Sequence, residues 1–243
     1  KIIPVRTIEN DIGLISITCP ISRVAEVFTA EIFDERFCQL LDDDQFGSTA
    51  GRSTTLALIK ISHVIFDAAD DCRNIIRVLF VDFKKAFDCI DHTILSDKFA
   101  RCDFSPRISA WMLSFLSNRK QYVNVCNAIS DIYVTNVGAP QGTRAGPNSF
   151  KLLINDLRLE KSCVKYVDDL SIATVSNSID DNDMQKIANK IEEWSCSNKM
   201  TVNTSKTKEM VIYFGKKYMK TDIPVTRFNS NVIERVDQFK LLG

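Results

Sequence analysis

CVKYVDDLSIATV, Cys163 to Val175, reads as a short apolar strand, two adjacent acids and a second apolar strand. That pattern places Asp168 and Asp169 at the tip of a β-hairpin, where both carboxylates escape the hydrogen-bonded ladder. Adjacent acids between apolar residues are what an ordinary strand avoids. They suit metal-dependent phosphoryl transfer, because carboxylate oxygens are hard ligands for divalent cations. A solvated turn is the competing reading of the tetrapeptide Tyr166-Val167-Asp168-Asp169, since Asp is a common turn residue.

Upstream, IIRVLFVDFKKAFDCIDH (Ile75 to His92) opens on an apolar strand, Ile75 to Val81, that delivers Asp82 at its carboxyl end. Asp82 and Asp168 are 168 − 82 = 86 residues apart, so a shared site requires their strands to be neighbours in one sheet. Two-metal sites hold their cations about 3.5–4 Å apart, and Asp82 and Asp168 are expected to bridge such a pair with carboxylates within roughly 6 Å. Asp169 is expected as a weaker third ligand or as a group that tunes the charge of the site. Asp88 and Asp91 lie beyond the strand and read as helix-start acids at the positive end of a helix dipole.

Between the acidic segments, NVGAPQGTRAGPNSFKLLINDL (Asn136 to Leu157) begins as a Gly/Pro loop and continues into a helix with Pro147 in its first turn. Gly142 permits close backbone approach and Gln141 offers an amide, which suits packing against a nucleotide's base and sugar. A plain connecting turn is the alternative.

With these segments in order, the chain resembles the reverse transcriptase domain of non-LTR retrotransposons, particularly jockey-like and CR1-like elements. The resemblance rests on QFGSTAGRSTTLALI (Gln45 to Ile59), FVDFKKAFDCIDH (Phe80 to His92), GAPQGTRAGP (Gly138 to Pro147), YVDDL (Tyr166 to Leu170), NTSKTKEMVI (Asn203 to Ile212) and FKLLG (Phe239 to Gly243). It implies an α/β right-hand polymerase piece without a thumb, with fingers at residues 1–74 and 92–143. The palm, built on an antiparallel sheet, would take residues 75–91 and 144–243. It implies RNA-directed DNA synthesis from deoxynucleoside triphosphates on an RNA template and a DNA primer, with two Mg²⁺ ions (Mn²⁺ as a substitute) held by Asp82, Asp168 and Asp169. Phe87 matches the aromatic that screens against a 2′-hydroxyl, Gln141 and Gly142 the nucleotide-pocket loop, and Lys206 a lysine that assists pyrophosphate departure. From the sequence alone, Lys206 is one of several solvated lysines.

The chain also departs from that family. Relatives carry Arg-Pro where Gly13 and Leu14 stand, and the arginine holds the incoming triphosphate; Gly cannot replace a bidentate guanidinium. Arg6 and Arg52 are the candidates to substitute. Ser48 and Thr49 also depart from the family's fingertip pattern. These differences motivate a second reading, an inactive remnant that keeps the fold and nucleic-acid binding. A third, an RNA-templated RNA polymerase, is disfavoured by the bulk of Phe87.

Composition sets wider bounds. With 243 residues and 45% hydrophobic content the chain can bury a sizeable core. Eight scattered cysteines without paired spacing argue against zinc ribbons and secreted disulfide frameworks, and point to reduced intracellular thiols; the family resemblance implies cytoplasm and nucleus. No apolar run reaches membrane-spanning length, so no membrane partner is expected. A first residue of Lys and a stop at Leu242-Gly243 are what a piece of a longer polyprotein would show. Net charge is zero, yet residues 1–100 carry 11 basic and 16 acidic groups while residues 101–243 carry 20 and 15. The lysines from Lys206 to Lys220 suit either phosphate neutralisation or plain solvation.

Periodicity predicts helices over Ser22–Phe37 (apolar face Val24, Phe28, Ile32; Ser22 as cap), Ser53–Asp70 (Leu56, Ile59, His63, Phe66), Asp91–Cys102, Ser105–Asn118 and Asp181–Lys199. Tyr122–Val125 and Ile132–Val137 read as a hairpin, and Met210–Phe214, Val232–Ile233 and Val236–Leu242 as strands. His63 reads as a core or boundary residue, and His92 as a local hydrogen-bonding group.

Overall fold

The computed structural model describes residues 1–6, 12–126 and 128–242. Elements in the first part of the chain are β1 (Ile2–Arg6), β2 (Ile12–Ser16), α1 (Pro20–Phe37), α2 (Thr54–Ala69), β3 (Ile75–Val81), α3 (His92–Arg101) and α4 (Pro106–Leu116). Next come the short strands β4 (Arg119–Gln121), β5 (Asn124–Val125), β6 (Ala128–Ile129) and β7 (Tyr133–Thr135), then α5 (Ala145–Ile154). The remainder holds β8 (Ser162–Tyr166), β9 (Asp169–Ser176), α6 (Asp183–Ser197), β10 (Lys208–Tyr213), β11 (Arg227–Phe228), β12 (Asn231–Val232) and β13 (Glu234–Arg235). Packing divides the chain into two compact units, residues 1–41 with 85–156 and residues 42–84 with 157–243.

In the first unit α1, α3, α4 and α5 pack on one another beside the β1–β2 hairpin. Its core is aromatic: Phe33 stacks on Phe104 with centroids 4.9 Å apart, and Phe99 meets Phe104 edge-on at 5.2 Å. The stripe that reaches this core is Ala30, Phe33 and Phe37, whereas Val24, Phe28 and Ile32 are exposed. An amphipathic helix with two apolar stripes buries the one that completes an aromatic cluster, because rings bury the most area. Pro20 opens α1 and Cys19 is its cap, so Ser22 lies inside the first turn. Asp91 caps α3 as expected, accepting from the backbone N–H groups of Thr93 and Ile94. Asp88 instead lies in the preceding turn. The expected hairpin of residues 122–125 with 132–137 is replaced by two short pairs, β4 with β7 and β5 with β6.

In the second unit five strands run in the order β13-β10-β3-β9-β8. All pairs are antiparallel except β10 with the two-residue edge strand β13, which is parallel. Apart from that edge the sheet has the expected antiparallel form. The central strand, β3, is buried at all seven positions. Ile76, Val78 and Phe80 pack under Ala57, Ile61 and Ala68 of α2, while Ile75 on the other face meets Val211 and Ile223. α2 turns Ala57, Ile61 and Ala68 to the sheet, its two alanines making room for the bulky side chains of β3, and Leu56, Ile59, His63 and Phe66 are left exposed. Val236–Leu242 forms no strand: Phe239 stacks on Phe80 at 4.0 Å, and ring packing takes the place of a ladder. Val232 lies in β12, which pairs with β11 outside the large sheet.

Arg77 on β3 is the exception to the apolar strand. Its guanidinium donates to Glu209 of β10 at 2.5 and 2.8 Å and to the Thr226 hydroxyl at 2.8 Å, with Glu209 fully buried and also paired to Arg235 at 3.0 Å. Removing one partner strands a buried charge. Glu209→Met should therefore destabilise by about 3–5 kcal/mol, and the Arg77→Met/Glu209→Met double variant should recover at least half of that in urea unfolding. Simply additive losses would contradict the pairing.

Candidate active site

The site is built by two strands of one sheet. β3 pairs with β9 from Ile75↔Ser176 to Val81↔Leu170, and one step further in that register sets Asp82 opposite Asp169. β8 and β9 close with Tyr166↔Asp169, leaving Val167 and Asp168 as a two-residue turn. The three acids thus come to one end of the sheet, Asp82 past β3, Asp168 in the turn and Asp169 opening β9. The hairpin tip that the sequence pattern implies is present, but only Asp168 escapes the ladder: Asp169 opens β9 and pairs with Tyr166, because the turn is two residues long.

Val167 occupies the left-handed region at φ 59°, which a β-branched residue takes only under constraint, at a cost on the order of 1–3 kcal/mol. The constraint comes from residues 42–47. Gln45, 1% exposed, uses one side-chain oxygen to accept from the N–H groups of Val167 (3.2 Å) and Gly47 (3.0 Å). Phe46 N–H donates to the Lys165 carbonyl at 2.7 Å, and Lys165 N–H to the Asp44 carbonyl at 2.8 Å. Gly47 is needed for proximity, since a Cβ there would sit 2.4 Å from the Val167 nitrogen. Lys165, buried in an otherwise apolar strand, pairs with Asp42 and donates to the Leu157 carbonyl. Burial raises the Asp42 carboxyl, but the hydrogen bond and charge of Lys165 outweigh that and hold it below its ordinary value.

Electrostatics at the tip run the other way. Burial first, then the charges of Asp169 and Asp82, push Asp168 up to about 6. Asp169 is raised by desolvation and by Asp82, although water reaching its exposed side chain tempers the shift. Three acids repelling one another at partial desolvation are a donor set that divalent cations would relieve, and hard oxygen ligands fit Mg²⁺ or Mn²⁺. Among the described residues no three His, Cys, Asp or Glu side chains form a ready cage. Mg²⁺ sites of phosphoryl-transfer enzymes draw their remaining ligands from water and substrate phosphates, so an open carboxylate set is compatible with that chemistry.

Lys206 is exposed, in a turn where its N–H donates to the Asn203 carbonyl at 3.1 Å. Arg52 donates to the carbonyls of Asp43 and Gln45 and lies 5.2 Å over the Phe46 ring, so its guanidinium braces the segment that holds the turn. In the first unit, Phe87 packs on Phe150 with centroids 5.6 Å apart, and its carbonyl accepts from Ala139 N–H at 2.8 Å. The Gln141 carbonyl accepts from Ser16 N–H at 2.9 Å, and Gly142 has φ 88° with Ile15 close against it. The buried Glu26 accepts from Arg144 N–H at 2.9 Å, fixing this loop at the start of α5. His92 bonds the Gly138 carbonyl at 2.8 Å, the local role expected of it. The side chains of Arg6, Gly13 and Leu14 lie outside the described residues, as does Gly243.

Sequence reasoning missed Gln45, Gly47 and the Asp42–Lys165 pair. The available signal was a lone lysine in an apolar strand, which must find a buried partner.

Carboxylates gathered at the end of a sheet on one strand and one hairpin place the fold among right-hand polymerases. Residues 9–243 match the family described as reverse transcriptase (RNA-dependent DNA polymerase), and the chain belongs to that family. It is similar to the probable RNA-directed DNA polymerase from transposon BS of Drosophila melanogaster, 26% identical over 228 residues covering 88% of this chain and 24% of the relative. It is also similar to the RNA-directed DNA polymerase from mobile element jockey of Drosophila funebris, 22% identical over 211 residues covering 82% and 22%. The chain spans about a quarter of the length of these relatives. Among solved structures, telomerase from Candida tropicalis in complex with a fragment of telomeric RNA shares the fold, with TM-score 0.55, 15% identity and coverage of 91% of this chain and 38% of that one. The apo telomerase from the same organism gives TM-score 0.53 at 12% identity, covering 80% and 41%. No helix among the described residues is long and apolar enough to cross a membrane.

A folded pKa raised above the unfolded value gives stability that is full below pH about 4 and lost as pH rises through about 6. Asp168→Asn should remove that loss in metal-free protein. With a chelator present, its melting temperature should exceed the wild type's by on the order of 5 °C at pH 7.5 and match it near pH 4. An advantage that persists at pH 4 would show that burial and repulsion of the ionised carboxylate are not the cause.

Proposed function

We propose that this chain is the fingers and palm of an RNA-directed DNA polymerase, with residues 1–74 and 92–143 as fingers and residues 75–91 and 144–243 as palm. The observation that carries the reading is the convergence of Asp82, Asp168 and Asp169 at one end of the sheet, with Asp168 on a strained turn that Gln45 holds. Its membership of the reverse transcriptase family supports the same assignment.

In this proposal the three carboxylates hold two Mg²⁺ ions. When bound, the ions supply activation of a primer 3′-hydroxyl and charge stabilisation for a departing pyrophosphate. The 3′-hydroxyl oxygen of the primer, giving up its proton to solvent, bonds to the α-phosphorus of a deoxynucleoside triphosphate as the bond from that phosphorus to the α–β bridging oxygen breaks and pyrophosphate leaves. Lys206 offers an ammonium to the leaving group. Phe87 screens the sugar, Gln141 and Gly142 line the nucleotide, and Arg6 or Arg52 takes the triphosphate contact that Gly13 cannot make. An RNA template, a DNA primer, deoxynucleotides and the rest of a retrotransposon polyprotein are the partners, in cytoplasm and nucleus.

Primer extension on an RNA template tests this, in the chain itself and in a chimera carrying a relative's thumb. Extension that Asp168→Asn abolishes is the expected result; extension indifferent to that change, or none in either form, would overturn the assignment. Phe87→Ala should raise ribonucleotide use relative to deoxyribonucleotide, and unchanged sugar selectivity would remove the gate role. Gly13→Arg with Leu14→Pro should lower the nucleotide KM about tenfold to a hundredfold, the range of one charge-assisted bidentate contact. An unaltered KM would mean that another residue already binds the triphosphate.

A further inference from the structure

Asp82 is wrapped by a turn 121 residues further along the chain. The Asn203 side-chain amide donates to Asp82 Oδ2 at 2.9 Å. Asn203 N–H donates to the Asp82 carbonyl at 2.8 Å, and Asp82 N–H donates to the Thr207 hydroxyl at 3.2 Å. The amide is itself oriented, because the Ser205 hydroxyl donates to Asn203 Oδ1 at 2.7 Å. The turn closes on one acceptor: the Asn203 carbonyl receives the N–H groups of both Lys206 (3.1 Å) and Thr207 (2.8 Å). Phe83 and Val202 form an antiparallel bridge just before it, so the backbones on either side are registered.

We propose that Asn203 is a positioning residue that sets the rotation of the Asp82 carboxylate and couples it to the turn carrying Lys206. A carboxylate ligand must present its oxygen in one direction, and hydrogen bonds from outer groups are what fix that direction. A lysine or arginine in the place of Asn203 would form an ion pair and cancel the charge that attracts a cation; a neutral amide orients the group and leaves its charge intact. Because one residue bonds Asp82 through its side chain and Lys206 through its carbonyl, displacement of the Lys206 turn pulls on the Asp82 amide contact. Nucleotide handling by the lysine and metal holding by the aspartate are thus linked through Asn203.

The inference rests on the reading of Asp82 as a metal ligand, and the test separates the two. Mn²⁺ is titrated into the full chain and the free ion followed by electron paramagnetic resonance, for wild type, Asp168→Asn, Asn203→Leu and Ser205→Ala, with thermal melts alongside. Wild type should bind and Asp168→Asn should not; if both bind alike or neither binds, the site reading falls and this inference with it. Given wild-type binding, Asn203→Leu should weaken Mn²⁺ affinity about tenfold, the usual scale for loss of a ligand's hydrogen-bond partner, and Ser205→Ala by about threefold with an unchanged melt. Affinity within twofold of wild type for Asn203→Leu overturns the positioning role while leaving the site intact. Should Asn203→Leu fail to fold, Ser205→Ala decides alone, since it removes only the bond that orients the amide: weakened binding supports the role and wild-type affinity overturns it.

Discussion

The register between β3 and β9 is the constraint on which the site depends. A slip of one residue would send every side chain of β3 to the opposite face, and β3 is buried on both. Ile76, Val78 and Phe80 fit only against α2, while Arg77 must find Glu209. The buried charge is what fixes the faces of β3, because apolar residues of similar size tolerate exchange of faces far better than an arginine tolerates an apolar helix. Pairing Arg77 with Glu209 of β10 sets which way the side chains of β3 face, and the β3–β9 ladder, with Val81 opposite Leu170, then brings Asp82 beside Asp169.

The hairpin tip shows the opposite economy. Val167 in a left-handed conformation and three mutually repelling acids are both unfavourable, and each persists because its surroundings over-determine it. The Asp42–Lys165 pair, the buried Gln45 amide and the side-chain-free Gly47 supply that determination from a single six-residue segment. Strain here has a geometric product, since a turn of two residues is the shortest way to lift Asp168 clear of the ladder while keeping Asp169 in it.

Much of this was legible in the sequence, and the remainder was hidden for identifiable reasons. The hairpin and the central strand declared themselves because two apolar runs flanking adjacent acids, and a β-branched apolar run broken only by Arg77, are local signals. Helix positions were readable from spacing and caps, as Ser53 and Asp91 show. Helix faces were not, because α1 and α2 each carry two apolar stripes and the choice between them belongs to the partner surface. Gln45 was visible as part of a motif yet silent about its role, since a hydrogen bond to Val167 spans 122 residues. The edge strand β13 is two residues long and parallel, below any periodicity threshold.

Asn203 illustrates the same limit from the side of chemistry. Within NTSKTKEMVI the lysine draws notice as a charge, while the asparagine reads as a turn former, which it also is. Its carbonyl closes the Lys206 turn and its side chain reaches Asp82, so one residue serves backbone geometry and carboxylate orientation together. Aspartate could form a similar turn but would add a fourth negative charge beside Asp82, Asp168 and Asp169. Serine could form it too, with a side chain too short to bridge the same gap. The requirement for a neutral donor of this length is therefore set by the charge of the site, and a turn-forming residue satisfies it only because the chain brings the turn back against the end of β3.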